Sequence, residues 1–327
     1  VAQVRRGPAP ELLAHHFTQG GRPQEAVVYW HRAGVRATER AATVEAISHF
    51  TKARELLATL PVSAVNRDQE LETLTELGPS LTASVGYGAP EVMEVYTRAL
   101  EVSRQLGEDS IAYSRALSGL WIYYMARGPH ETAWEIARQL LTTAEGLGDP
   151  RLQVTARGNL ADMCLHAGDF VGAAEHGRAG IALDHDHPRG PDDDDAGIMC
   201  RVWVSWSLHA LGYADQAQAI ADEALALGVT DSSALVRTEA WLYATAYQVR
   251  IRDYDTCRVH CAELGAIAVE LDFRVFQALG KIYLGWVRAS QGDEDGVDAI
   301  RGGIAEWRAT GSSTAAPAFL ATLAEGC

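Results

Sequence analysis

Gly168-Asp169-Phe170-Val171-Gly172-Ala173 and Gly212-Tyr213-Ala214-Asp215-Gln216-Ala217 are two copies of one pattern: a glycine, a short turn, and a small residue five places on. Gly128-Pro129-His130-Glu131-Thr132-Ala133 and Gly292-Asp293-Glu294-Asp295-Gly296-Val297 repeat it. Arg252-Asp253-Tyr254-Asp255-Thr256-Cys257 holds the corresponding place with the glycine replaced. The closing residues stand at 133, 173, 217, 257 and 297, at intervals of 40, 44, 40 and 40 residues. A second set of breaks interleaves at Leu106-Gly107, Leu147-Gly148, Leu227-Gly228, Leu271-Asp272 and Thr310-Gly311. Each unit therefore reads as helix, turn, helix, turn, with helices of roughly 18 residues, or about 27 Å.

The helical period carries this reading. Ala133, Ile136, Ala137, Leu140, Leu141 and Ala144 recur at three- and four-residue steps and form one apolar face. Pro129 and Pro150 fall where a first helical turn tolerates proline, and Gly148 and Gly228 where a helix end favours a left-handed residue. No alternating run of strand length stands out. A fixed period of this size marks stacked repeats more than a single bundle. The fold class expected is all-α, a tetratricopeptide-like α-solenoid wound as a right-handed superhelix of antiparallel helix hairpins.

The N-terminal third follows the same logic less regularly. Trp30, Ala33, Gly34 and Ala37 are followed by Ala46, Phe50 and Ala53. That is the tetratricopeptide arrangement of a bulky residue, small residues, then alanine, aromatic and alanine. Small residues let two helices approach, and the aromatic ring fills the space above them. The segmentation expected is N-terminal hairpins over 1–60, a linker and irregular hairpin over 61–108 with its helix interrupted near Pro79, five repeats of about 40 residues over 109–311, and the start of a further repeat over 312–327.

Composition narrows the function. The chain has 327 residues, 28 Lys+Arg against 43 Asp+Glu, and a formal charge of −15. Lys52 and Lys281 are its only lysines. An acidic chain without a dense basic run is a poor match for nucleic acid or anionic membrane, which need a positive field. No stretch has the roughly 20 apolar residues needed to span a bilayer. Five cysteines without a disulfide-scaffold spacing suit a reducing compartment, so a cytoplasmic location is expected. The start lacks Met and the end stops within a helical pattern, which predicts an excised piece of a longer chain.

Further stretches carry a family resemblance. Pro10-Glu11-Leu12-Leu13-Ala14-His15-His16-Phe17, Glu25-Ala26-Val27-Val28-Tyr29-Trp30-His31-Arg32-Ala33-Gly34 and Gly86-Tyr87-Gly88-Ala89-Pro90-Glu91-Val92 are three of them. Leu211-Gly212-Tyr213-Ala214-Asp215-Gln216-Ala217 and Trp307-Arg308-Ala309-Thr310-Gly311 are two more. Together they resemble the C-terminal repeat region of bacterial signalling proteins that join an adenylate/guanylate cyclase domain, an AAA (STAND-type) ATPase domain and a tetratricopeptide-like array. The resemblance covers nearly the whole chain and implies a regulatory part whose partners include neighbouring ATPase or cyclase domains. This chain holds no G-x4-G-K-[ST] phosphate loop, so no nucleotide-binding or catalytic residue of that family carries over.

The expected activity is non-catalytic: a protein, peptide or small-molecule effector binds an inner wall formed by the first helices of the repeats. Aromatic anchors and arginine dominate such surfaces. Arg115, Trp121, Asn159, Asp162, Trp206, Glu239, Tyr243, Arg250 and Trp286 are the candidate groove residues. No cofactor, metal or catalytic residue is expected. Two alternatives stand beside this one. His185 to Asp195, with His185, Asp186, His187 and four consecutive aspartates, reads as a solvated loop but could serve a metal-dependent enzyme. A structural or oligomerisation arm is the other. Cys257 and Cys261 share a helix face as metal ligands might, yet occupy the places of Ala133 and Ala137, so packing explains them. The His15-His16 pair lacks a third ligand and is assigned to packing or capping.

Overall fold

A computed structural model describes residues 9–107, 110–187 and 195–327, and within them the chain is all-α. Sixteen helices follow in order: α1 (Pro10–Gln19), α2 (Pro23–Glu39), α3 (Thr43–Leu57), α4 (Ala64–Val85), α5 (Pro90–Leu106), α6 (Ile111–Arg127), α7 (His130–Leu147) and α8 (Pro150–His166). Then come α9 (Phe170–Asp186), α10 (Ala196–Ala210), α11 (Ala214–Val229), α12 (Ala234–Ile251), α13 (Tyr254–Glu270), α14 (Arg274–Ser290), α15 (Asp295–Ala309) and α16 (Ala316–Gly326). The glycine-led turns lie where the repeat places them. Gly168, Gly212 and Gly292 have φ of 79°, 89° and 81°, and Arg252, the exception in the pattern, takes the same left-handed conformation at 58°. Aspartates at the turns start the next helices: Asp169 accepts from the Gly172 N–H at 2.9 Å and Asp253 from the Thr256 N–H at 3.0 Å.

The chain divides into two compact units. The first runs from α1 to Ser84 and adds Pro90–Gly119; the second holds Val85–Ala89 and Leu120–Cys327. In the first unit the tetratricopeptide pattern is realised in packing between α2 and α3. Trp30, Ala33, Ala37, Ala46, Phe50 and Ala53 are all buried. A Cβ on Gly34 would come within 2.5 Å of the Phe50 ring, so the absent side chain is what admits the aromatic. Tyr96 plays the same part further on, filling the spaces above Gly78 and Gly119.

The helix expected to break near Pro79 does not break: α4 is continuous through it. Proline removes one donor from the ladder. The carbonyl it leaves without a helical donor is that of Thr75, four residues back, while Ser80 donates its hydroxyl to the Glu76 carbonyl at 3.3 Å and Thr82 to that of Gly78 at 3.0 Å.

In the second unit consecutive helices from α7 to α16 pack against each other, and α8, α10, α12, α14 and α16 also touch in sequence. The even-numbered helices thus form one continuous wall. The unit closes on itself at its ends. The Ser313 and Thr314 N–H groups donate to the Ala126 carbonyl at 2.9 and 3.1 Å, bringing the loop after α15 to the end of α6. Cys257 and Cys261 are buried thiols within α13, in keeping with a packing role. His15 and His16 instead face solvent on α1, because that helix buries only the Ala14 side of its surface.

Candidate functional site: the inner wall of the second unit

α8, α10 and α12 are successive members of the even-numbered wall and carry polar and aromatic side chains. On α8 these are Asn159, Asp162 and His166, at helical steps of three and four. Asp162 is fully buried and Asn159 is 7 % exposed. Neither the Asn159 amide nitrogen nor either Asp162 carboxylate oxygen has a well-directed hydrogen bond among the described residues. His166 Nε2 stands 3.2 Å from Asp162 Oδ1, close enough for an ion pair but off the hydrogen-bond direction. Burial opposes the His166 charge, yet the neighbouring Asp162 carboxylate outweighs it and raises the imidazole above its ordinary value.

α10 and α12 contribute an aromatic cluster. Trp203, Trp206 and Tyr243 meet edge to face, with centroids 5.3 to 6.0 Å apart. The Arg250 guanidinium lies 3.8 Å from the centroid of the Trp206 ring, a cation–π contact. It has no ion-pair partner among the described residues; desolvation by its neighbours pulls it below the ordinary arginine value, yet the residue as a whole remains exposed to solvent. Arg250 stays charged at neutral pH all the same.

Glu239 marks a second focus. Tyr87, from the connection between α4 and α5, donates its hydroxyl to Glu239 Oε1 at 2.6 Å. Burial pushes Glu239 well above the carboxylate range, and the charge and hydrogen bonding of the nearby Asp195 carboxylate push the same way. Burial also raises Tyr243, with further push from the charges of Glu239, Asp162 and Asp195.

The expected groove residues distribute as follows. Asn159, Asp162, Trp206, Glu239, Tyr243 and Arg250 share the wall just described. Trp121 is on the second-unit part of α6, 6 % exposed, with its indole nitrogen unpartnered among the described residues. Arg115 is exposed on the part of α6 that belongs to the first unit. Trp286 is 2 % exposed, stacked on Tyr254 at 4.5 Å and donating to Glu325 at 3.2 Å, which makes it packing between α13, α14 and α16. His185 and Asp186 belong to the end of α9, not to a loop, and both are exposed. Residues 188–194, with Asp192 to Asp194, lie outside the described residues. Among those described, no three His, Cys, Asp or Glu side chains are grouped as a metal site.

No family model matches the chain. An uncharacterized protein of Rhizobium meliloti (strain 1021) is 29% identical over 161 residues, which is 48% of this chain and 15% of that protein. The chain thus spans a small part of the length of the curated relative it matches. Among solved structures it is similar to NprR in complex with its cognate peptide NprX, at a TM-score of 0.65 and 11% identity over 90% of this chain and 82% of that one. It is similar too to the Rap conjugation gene regulator of plasmid pLS20 in complex with the Phr* peptide, at 0.65 and 14% over 90% and 77%. A Rap protein complexed with Competence and Sporulation Factor aligns at 0.61 and 11%, over 88% and 78%. The fold is a tetratricopeptide-like helical repeat.

Tyr87, Asp195 and His166 are the wall residues that the sequence pattern missed. His166 carries a signal in hindsight, since it is four residues from Asp162 on the same helix face. Tyr87 and Asp195 carry none, because periodicity identifies a helix face and says nothing of which turn residue reaches it.

The Asp162–His166 pair yields a testable pKa. Asp162→Asn removes the carboxylate that holds the imidazole up and leaves the burial that pulls it down. The His166 pKa should therefore fall from above the ordinary value of about 6.5 to below it. Ring-proton NMR shifts against pH read this directly, and an unchanged midpoint would reject the pairing.

Proposed function

We propose that this chain is a non-catalytic regulatory repeat module whose second unit binds a peptide, or a peptide-like effector, along the inner wall. The observation that carries the reading is the state of the wall's polar groups. Arg250 is an exposed guanidinium with no ion-pair partner among the described residues, and the buried Asn159 amide nitrogen has no hydrogen bond there. Buried polar groups are ordinarily paired, and leaving one unpaired costs about 1–3 kcal/mol. A ligand with amide groups and charged ends would pair them, while Trp206 and Tyr243 supply apolar contact. The likeness to regulators solved with bound peptides supports the same reading at the level of fold.

The regulatory part of the proposal rests on the resemblance to ATPase- and cyclase-linked arrays. In a longer chain of that kind, a ligand would act by binding one conformation of the repeats more tightly than another, since equal affinity shifts nothing. The neighbouring ATPase or cyclase domain would read that shift. The cytoplasm is the compartment such a regulator would work in, and no helix among the described residues is long and apolar enough to cross a membrane.

The test is a thermal-shift and tryptophan-fluorescence screen of short synthetic peptides with free termini, followed by titration of the best binder. Arg250→Ala and Trp206→Ala should each weaken it by at least about tenfold, the loss of one ligand-facing charge or aromatic anchor. Binding that is unaltered by both changes would overturn the inner-wall reading.

A further inference from the structure

Val85–Ala89 belongs to the second unit although it connects two helices of the first. It is covalently outside the repeat series that builds the wall, yet it sits against that wall as a bound segment would. Tyr87 reaches in and bonds Glu239 at 2.6 Å, and its ring meets the edge of Phe276 at a centroid distance of 6.4 Å. The flanking glycines seat the backbone. A Cβ on Gly86 would stand 2.7 Å from Thr310 Cβ, and one on Gly88 would stand 2.6 Å from the Gly311 carbonyl oxygen. The Gly88 carbonyl in turn accepts from Arg127 Nη1 at 3.1 Å. A side-chain anchor in a polar pocket, side-chain-free flanks and a backbone carbonyl held by arginine are the contacts by which a groove takes a short peptide.

We propose that the Glu239–Asp195 end of the inner wall is a subsite for the phenol of a tyrosine-bearing peptide, and that Tyr87 is its internal occupant, which such a peptide must displace. This rests on the inner-wall reading above and names the chemistry of one end of it. The Glu239 carboxyl suits a phenol, since its Oε1 already accepts the Tyr87 O–H at 2.6 Å. Phe276 supplies the apolar edge for the ring. A tethered occupant is present at an effective concentration in the millimolar range. A free peptide of the same chemistry is therefore held off until the strap is removed or outcompeted.

The probe is the acetylated and amidated pentapeptide Val-Gly-Tyr-Gly-Ala, the sequence of residues 85–89, titrated against the full chain by calorimetry. It should bind the Tyr87→Ala variant at least about tenfold more tightly than the unaltered chain. Its phenylalanine analogue should bind that variant about tenfold more weakly, as should the tyrosine peptide when Glu239→Gln is added. Equal binding to the unaltered and Tyr87→Ala chains, no binding to a folded Tyr87→Ala chain, or indifference to the phenol would each overturn the proposal. If Tyr87→Ala fails to fold, Tyr87→Phe decides. It should speed amide hydrogen exchange at residues 85–89 and tighten the pentapeptide severalfold, and an unchanged exchange rate and affinity would overturn it. A screened effector that needs Trp206 and Arg250 while the pentapeptide fails would sink the phenol subsite alone. An effector and a pentapeptide that both ignore Trp206 and Arg250 would sink the inner-wall reading.

Discussion

Replacing Asp184 by alanine is expected to destabilise the second unit by about 3 kcal/mol. Asp184, near the end of α9, is shared by two arginines. Arg151 Nη1 donates to one carboxylate oxygen and Arg201 Nη1 to the other, each at 2.7 Å. Arg201 lies in α10 among mostly apolar residues and is 6 % exposed. It also donates to the Gly197 carbonyl at 2.8 Å and to Glu223 at 2.7 Å, so one carboxylate ties α8, α9 and α10 while its arginine reaches α11. Removing the shared acid leaves buried guanidinium charge with too little compensation, which is the expensive way to break such a network. Glu223 is half-exposed, and Glu223→Ala should cost no more than about 1 kcal/mol.

The pH dependence separates charge from shape. Burial pushes the Asp184 carboxyl up, but the hydrogen bonds and charges of Arg151 and Arg201 outweigh it and hold the group below its ordinary value. A carboxyl lowered in the folded state contributes stability above the unfolded value of about 3.9, lost as pH falls through the lower folded one. The difference between the unaltered chain and Asp184→Ala should therefore be full at pH 7 and shrink below about pH 4. Asp184→Asn should lose most of the same stability while keeping the volume. Urea unfolding at both pH values measures this; a difference under 1 kcal/mol at pH 7 would show that the network is dispensable.

This clamp also marks where sequence reading runs out. The Gly168 and Gly212 turns, the buried Ala133 and Ala217, and the Gly34–Phe50 contact were all legible, because each is a local consequence of helix packing at a fixed period. The repeat also put Asn159, Asp162, Trp206, Glu239, Tyr243 and Arg250 on the even-numbered helices, and their use as a binding wall is the reading proposed for them. Trp286 was expected with them because it lies on a first helix of its unit, yet it packs against Tyr254 and Glu325, and a covering helix near the chain end leaves no trace in the period of α14. The Asp184–Arg201 pairing crosses the interrupted repeat, where the 44-residue interval hides the register between α9 and α10. Tyr87 is 152 residues from Glu239, and its segment belongs to no repeat. A lone arginine on the apolar α10 was nonetheless a signal: a charge there must be paired.

Gly296→Val should destabilise the last hairpins by about 3 kcal/mol, the upper end of the usual overpacking range. A Cβ on Gly296 would stand 2.4 Å from the Ala289 backbone nitrogen and 2.7 Å from the Gly285 carbonyl oxygen. Both obstacles are main chain of α14, so no side chain can rotate away and the helices themselves must part. The contact is reciprocal, because a Cβ on Gly285 would meet the Gly296 carbonyl oxygen at 2.8 Å and the Ile300 nitrogen at 2.9 Å. About two turns beyond Gly296, a Cβ on Gly303 would stand 2.7 Å from the Ile282 side chain, so α15 lies flush along α14. Parting them would loosen Ile282, Trp286, Ile300 and Ile304, all buried in the unaltered chain. The glycine is also a poor helix former, and Gly296→Ala regains about 1 kcal/mol of helix propensity that partly offsets the clash. Valine, which is β-branched and bulkier, has less to regain. The ordering expected in urea unfolding is thus unaltered chain, Gly296→Ala, Gly296→Val, from most to least stable. On the exposed Gly146, where a Cβ would meet nothing within 4 Å, alanine should instead stabilise. If Gly296→Val and Gly146→Val proved equally stable, close backbone approach would not be what holds α15 on α14.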